Sequence, residues 1–169
     1  AEAQPILPPP EDREQAPLLK KIPRGGSVLQ QVRLDEQGLI RLDLSGGSRV
    51  FFKPTTFQSD RILYRAIARG GLCMASDSEL TSAQCAGQIA FRSGAGEHSL
   101  IALQQLLSGV KMGLNPRILP LSHGFKGLCA QSDAESMFQL AHMFMHSPRF
   151  EREAFNRECE VMADSCLLY

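Results

Sequence analysis

The sequence predicts an α+β domain, a largely antiparallel sheet with helices packed on one face. Three observations carry this expectation. Short β-patterned segments crowd the region before residue 70. Two helix-patterned pairs follow, with a second group of short strands between them. Segregated runs of this kind favour α+β over the strict alternation of a parallel α/β fold.

The first element is not a folded one. Ala1 to about Pro23 holds Pro5, Pro8, Pro9, Pro10, Pro17 and Pro23 among scattered charges. Proline fixes φ and lacks an amide proton, so this stretch reads as an extended linker closed by Gly25-Gly26. Residues 1–26 are therefore expected to be a Pro-rich linker. Residues 27–169 are expected to be one α+β domain, truncated at its C-terminal end.

Val28 to Leu34 suits a strand, with a turn at Glu36-Gln37-Gly38. Leu39 to Leu44 alternates around Asp43, and Ser45-Gly46-Gly47-Ser48 is a second turn. Arg49 to Lys53 is a third strand, stopped by Pro54, so the two segments around the Gly-rich turn form a hairpin. Ile62 to Ala68 is a fourth strand, ended by Gly70-Gly71.

Ser76 and Glu79 have capping-box spacing and predict a helix from about Asp77 to Arg92. Its buried stripe would be Leu80, Ala83, Ala86, Gly87 and Ala90, small residues suited to close packing. Ser93-Gly94-Ala95-Gly96 ends it. Ser99 caps a second helix through Leu107, with Leu103, Leu106 and Leu107 inward. Ile118 to Leu121 and Gly124 to Ala130 are candidate strands. Ser132 with Glu135 repeats the capping spacing, before a helix carrying Met137, Leu140, Ala141 and Phe144 on one face. Ser147-Pro148 stops it. A last helix from about Glu151 would bury Phe155, Cys159, Met162 and Cys166.

Bulk properties exclude some functions. The chain has 169 residues, enough for one domain with a core, and 43% are hydrophobic against 21% charged. Eighteen basic and 18 acidic residues give a formal charge of +0. No Lys/Arg cluster is visible along the sequence, so a nucleic-acid partner is not expected. No apolar run is long enough to span a bilayer, so neither is a membrane. The five cysteines, Cys73, Cys85, Cys129, Cys159 and Cys166, show no CxxC spacing and read as mostly buried free thiols.

Chemistry-bearing patterns are few. His142 and His146 stand at i and i+4, the spacing of the inverted zinc motif H-x-x-E-H. Met145 occupies the place of the Glu base, and a thioether cannot take a proton from water. The two imidazoles read instead as surface groups near a helix C-terminus. Gly94-Ala95-Gly96, Gly70-Gly71 and Gly46-Gly47 fit turns rather than phosphate loops. Nothing brings Cys73, Cys85 or Cys129 together with His98 or His123 as a nucleophile pair. Glu151, Glu153, Glu158 and Glu160 read as a solvated helix face with Arg152 and Arg157. No residue is assigned a catalytic, cofactor-binding or metal-binding role.

Several stretches resemble the pitrilysin/insulinase family of inverted-zincin metallopeptidases. Leu44 to Phe57, LSGGSRVFFKPTTF, resembles that family's "LSNGxxVxxKPTxF" hairpin. Gly70-Gly71 is similar to the double glycine ending its next strand. Ser93-Gly94-Ala95-Gly96, followed by Leu103, Leu106, Leu107 and Gly109, is similar to "SGxG…L…LxG". Gly124 to Gly127 with Ser132 to Leu140 resembles "GxxGxxSxxDxExMFQL". Ser147-Pro148-Arg149-Phe150 is similar to the "xPRxD" stop, with Phe150 departing from the usual Asp. The matches run in order from about Leu39 to Cys166.

The resemblance implies a two-layer α+β sandwich from the second half of a long family member. It places the family's zinc motif on the helix after the double glycine, among Cys85, Ala86, Gly87, Gln88, Ile89 and Ala90, where there is no histidine. It therefore implies a non-catalytic domain, inactive alone and holding no cofactor, within a parent whose zinc sits in another domain. Its partners would be the other domains of that peptidase and peptide substrates. The alternative is a binding or assembly module in a family member that has lost zinc throughout. The compartment is left open.

Overall fold

The computed structural model describes residues 18–167, with side chains through Asp164. Most of the expected Pro-rich linker, and the expected burial of Cys166, lie outside the described residues.

Two three-stranded antiparallel sheets and four helices form the fold. The first sheet is a meander, with strands β1 (Val28–Leu34), β2 (Leu39–Leu44) and β3 (Arg49–Phe52) in that order. Gly38 sits at φ 60°, a left-handed conformation that closes the turn into β2 without a Cβ penalty. Asp43 pairs with Arg49 across the hairpin, Oδ1 to Nε 2.8 Å, and with Arg41 at 3.2 Å. This sheet stands apart from the helices, and Val50, Phe51 and Phe52 are exposed.

The second sheet carries the core. Its order is β4-β6-β5, from β4 (Arg61–Arg69), β5 (Met112–Ile118) and β6 (Ser122–Ala130). The register pairs Tyr64 with Gly127 and Leu114 with Gly127, so these three positions share a face. Helices α1 (Leu80–Ser93), α2 (Leu100–Leu106) and α3 (Ala134–His146) cover that side. Met137 of α3 and Cys129 of β6 are fully buried, joined by Leu103, Leu114, Leu140, Ala141 and Phe144. Tyr64 packs edge-on to Phe138 at 5.2 Å, and Phe91 stacks on Phe144 at 5.9 Å. Leu18 is buried against this cluster, and the Leu19 amide donates to Gln139 Oε1 at 3.2 Å. Helix α4 (Arg152–Leu167) lies against α1.

The α+β class and the helix-covered antiparallel sheet are as the sequence predicts. Several details differ. The strands form two sheets rather than one. The strand expected at Ile118 to Leu121 is Met112–Ile118, and Leu119 to Leu121 belongs to the turn. Helix α1 begins at Leu80, because the Glu79 amide bonds the Ser76 carbonyl and only half of the capping box forms. Helix α4 buries Ala154 and half-buries Glu158 and Met162, while Phe155 and Cys159 are exposed. Cys73 is exposed as well, so among the described cysteines only Cys129 is a core thiol and Cys85 is half-buried. All four described cysteines are free.

Candidate functional site

Helix α1 occupies the place at which the family's zinc motif is expected, and its geometry follows from what precedes it. Strand β4 ends at Arg69, and the next residue, Gly70, turns the chain out of the sheet with a φ of 90°. A short 3₁₀ turn, Leu72–Met74, then leads to Ser76, whose amide and hydroxyl both donate to Glu79 Oε2, at 3.2 and 2.6 Å. Those two bonds hold the Glu79 carboxyl below its usual range.

Along α1 the residues at the motif position make packing contacts. Cys85 Sγ donates to Met162 Sδ of α4 at 2.9 Å. Burial raises the Cys85 thiol pKa, and the neighbouring Glu158 and Cys159 add to the shift. Gly87 faces Pro116 and Ile118 of β5, Ile89 and Ala90 are buried, and Gln88 is exposed. This set offers one half-buried neutral thiol and one amide. Structural zinc sites take four N, O or S ligands and catalytic sites three plus water. Among the described residues no group of three His, Cys, Asp or Glu side chains converges on a point. The residues present do not fit a zinc ion.

The His142/His146 pair closes α3. The rings stack with centroids 3.9 Å apart, and His146 Nδ1 lies 3.0 Å from the His142 carbonyl oxygen. A carbonyl only accepts, so Nδ1 carries the proton and Nε2 is the free nitrogen. His98 and His123 are elsewhere: the His98 amide bonds the Ala95 carbonyl, and His123 Nδ1 meets the Gly70 carbonyl at 3.0 Å. The structure thus brings no cysteine and histidine together as a nucleophile pair among the described residues.

Between α1, α2 and β5 lies an open groove of about 530 Å³ lined by Phe91, Arg92, Leu103, Leu107, Leu114 and Phe144. It is chiefly apolar. At its rim Arg92 Nε faces Glu158 Oε2 of α4 at 3.0 Å, close enough for an ion pair but not aligned as a hydrogen bond.

Two segments that resemble family motifs meet in space. Ala95 bridges Pro148, the Gly96 amide donates to the Ser147 carbonyl at 2.8 Å, and Arg149 Nη1 donates to the Gly96 carbonyl at 3.3 Å. Arg149 also pairs with Glu151. In the "xPRxD" pattern the acid stands two residues beyond the arginine, so Glu151, rather than Phe150, takes the Asp position.

Sequence reasoning missed one feature. The side of the second sheet turned away from the helices collects Arg61, Arg65, Arg69, Arg117 and Lys126, all exposed. Along the sequence they are scattered. The signal was the period-two pattern Arg61-Leu63-Arg65-Ile67-Arg69 within one strand.

No protein-family model matches the chain. It is 28% identical over 107 residues to a zinc protease PQQL-like protein of Arabidopsis thaliana. It is 25% identical over 122 residues to a probable zinc protease PqqL of Haemophilus influenzae. The two matches cover 62% and 72% of the chain but only 11% and 13% of those relatives. In fold it is similar to the periplasmic protease PqqL of Escherichia coli, with a TM-score of 0.75, 16% identity, 90% of this chain covered and 16% of that one. It is also similar to the ferredoxin protease FusC, solved in complex with Arabidopsis ferredoxin, with a TM-score of 0.71 and 20% identity. That match covers 85% of this chain and 16% of the other.

Motif order, relatives and fold agree in one likeness: the chain resembles a single domain of the pitrilysin/insulinase-type zinc peptidases. It spans little more than a tenth of the length of the curated relatives it matches.

Proposed function

We propose that the chain is a non-catalytic domain of a larger zinc metalloendopeptidase, in which it forms scaffold and wall of the chamber that holds peptide substrates. Zinc and the general base are supplied by another domain of the parent. One observation carries the reading. The helix after Gly70-Gly71 is packed shut at the motif position, with Ile89 and Ala90 buried and Cys85 turned onto Met162. Residues 1–26 serve as a linker, of which Leu18 and Leu19 are seated against α3, and residues 27–169 are the domain. The complex of FusC with ferredoxin supports proteins, as well as peptides, among the parent's substrates.

The test joins this chain to the catalytic half of its parent and measures cleavage of fluorogenic peptides of graded length. The catalytic half alone should lose activity on the longer peptides and regain it when the chain is added. Full activity of the catalytic half alone on every peptide would remove the chamber role.

A further inference from the structure

The outer face of the second sheet has a composition that the fold does not require. Its positions are fixed by register: Arg61 opposite Ala130, Leu63 opposite Leu128, Arg65 opposite Lys126, Ile67 opposite Gly124, and Arg69 opposite Ser122. On the other flank of β6, Gly113, Asn115 and Arg117 share the same face. Five of these residues are cations and none is a carboxylate. None of the five cations enters an ion pair or side-chain hydrogen bond among the described residues. Between them Leu63 is 78% exposed and Ile67 66%. Five like charges on one small face repel one another, so the arrangement lowers stability unless something of opposite charge covers it. The whole chain has no net charge to explain it as a general basic bias.

We propose that this face is a docking surface for an acidic polypeptide segment, lying extended along β4 with carboxylates and aliphatic side chains alternating. Three features select that ligand. Charge complementarity requires an anion. Cation and aliphatic side chains alternate on this face of β4, and same-face residues in a strand recur every ~7 Å. An extended peptide repeats its own same-face side chains at that spacing, so carboxylates meet Arg61, Arg65 and Arg69 while apolar groups meet Leu63 and Ile67. No aromatic side chain stands on the face, and single-stranded nucleic acid is usually held by aromatic stacking as well as charge. The inference is independent of the chamber reading, because it concerns binding by this chain and not cleavage by its parent.

The experiment measures fluorescence anisotropy of a labelled nine-residue peptide alternating Glu and Leu, the length of β4, with the 169-residue chain at neutral pH. The parallel probes are a Lys/Leu peptide, oligothymidylate and phosphatidylserine vesicles. The Glu/Leu peptide should bind, and raising salt to about 0.5 M should weaken it, since exposed charges are screened. The combined variant Arg61→Gln, Arg65→Gln, Lys126→Gln should bind about tenfold more weakly, from three exposed ion pairs. Arg152→Gln with Arg157→Gln on α4 should leave binding unchanged. Circular dichroism of each variant separates lost binding from lost folding. No binding of the Glu/Leu peptide, equal binding by the folded triple variant, or tighter binding of oligothymidylate or vesicles would overturn the proposal.

Discussion

The Glu151 amide donates to Ser93 Oγ at 2.8 Å, although the two residues stand 58 apart in the chain. The same hydroxyl donates to the Ile89 carbonyl at 2.7 Å, and Ser93 is 2% exposed. One hydroxyl therefore finishes α1 and fixes the start of α4. Ser93→Ala removes both bonds and leaves a part-buried amide without a partner. The expected cost is about 1–3 kcal/mol, read as a fall of several degrees in melting temperature. An unchanged melting temperature would mean that water replaces the hydroxyl at no cost.

Asp133 plays a comparable part at the start of α3. It is 8% exposed, and its Oδ2 accepts from the Lys111 amide at 2.9 Å, tying α3 to the segment entering β5. Asp133→Ala should cost about 1–3 kcal/mol. Ser132→Ala, at the exposed neighbouring position read from sequence as the cap, should cost less than about 0.5 kcal/mol. Urea denaturation of the two variants checks the order, and a larger loss in Ser132→Ala would restore the sequence assignment.

That contrast shows where the sequence was legible. Strands β1 and β2 were found at their observed bounds because Gly38 and the Ser45-Gly46-Gly47-Ser48 turn punctuate them. The α3 face was found because Met137, Leu140, Ala141 and Phe144 recur at helical spacing and all face the sheet. Strand β5 was missed at Met112–Ile118 because Gly113, Asn115 and Pro116 read as breakers. It is an edge strand, where proline's missing amide proton breaks no ladder bond if it points outward. In helix α4 the apolar pattern puts Phe155 and Cys159 inward, where the structure has Ala154 and Glu158. Glu158, paired with Arg92, turns toward α1 together with the expected Met162, which meets Cys85. The basic face was invisible for a similar reason: register, not sequence proximity, gathers its cations.

Stability should fall on the alkaline side. Burial raises the Cys129 thiol from its ordinary 9.0, with Asp133 adding to it, and Cys85 is raised for the same first reason. Below about pH 9 both states keep these protons and pH has no effect through them. Above it the unfolded chain releases the proton while the folded chain holds it. The unfolded state then binds fewer protons, so stability decreases as pH rises. Urea melts at about pH 8 and about pH 10 should show this loss, smaller in Cys129→Ala. An equal loss in that variant would assign the effect to other groups.

The last prediction concerns zinc, and it separates the His142/His146 pair from a metal site. Stacking at 3.9 Å sets the rings side by side, and the hydrogen bond to the His142 carbonyl removes one of His146's nitrogens from ligation. Met145 supplies no base between them, and no third ligand converges among the described residues. Protein washed with chelator and measured by elemental mass spectrometry should therefore carry near-zero zinc. His142→Ala and His146→Ala should each leave that value unchanged. If cleavage by the rejoined parent is measured with these variants, its zinc dependence should also be unaltered, because the proposed function puts the zinc ligands in another domain. About one zinc per chain, lost in either histidine variant, would instead make this helix end a metal site. It would also count against the non-catalytic reading, because the chain would then hold a metal of its own.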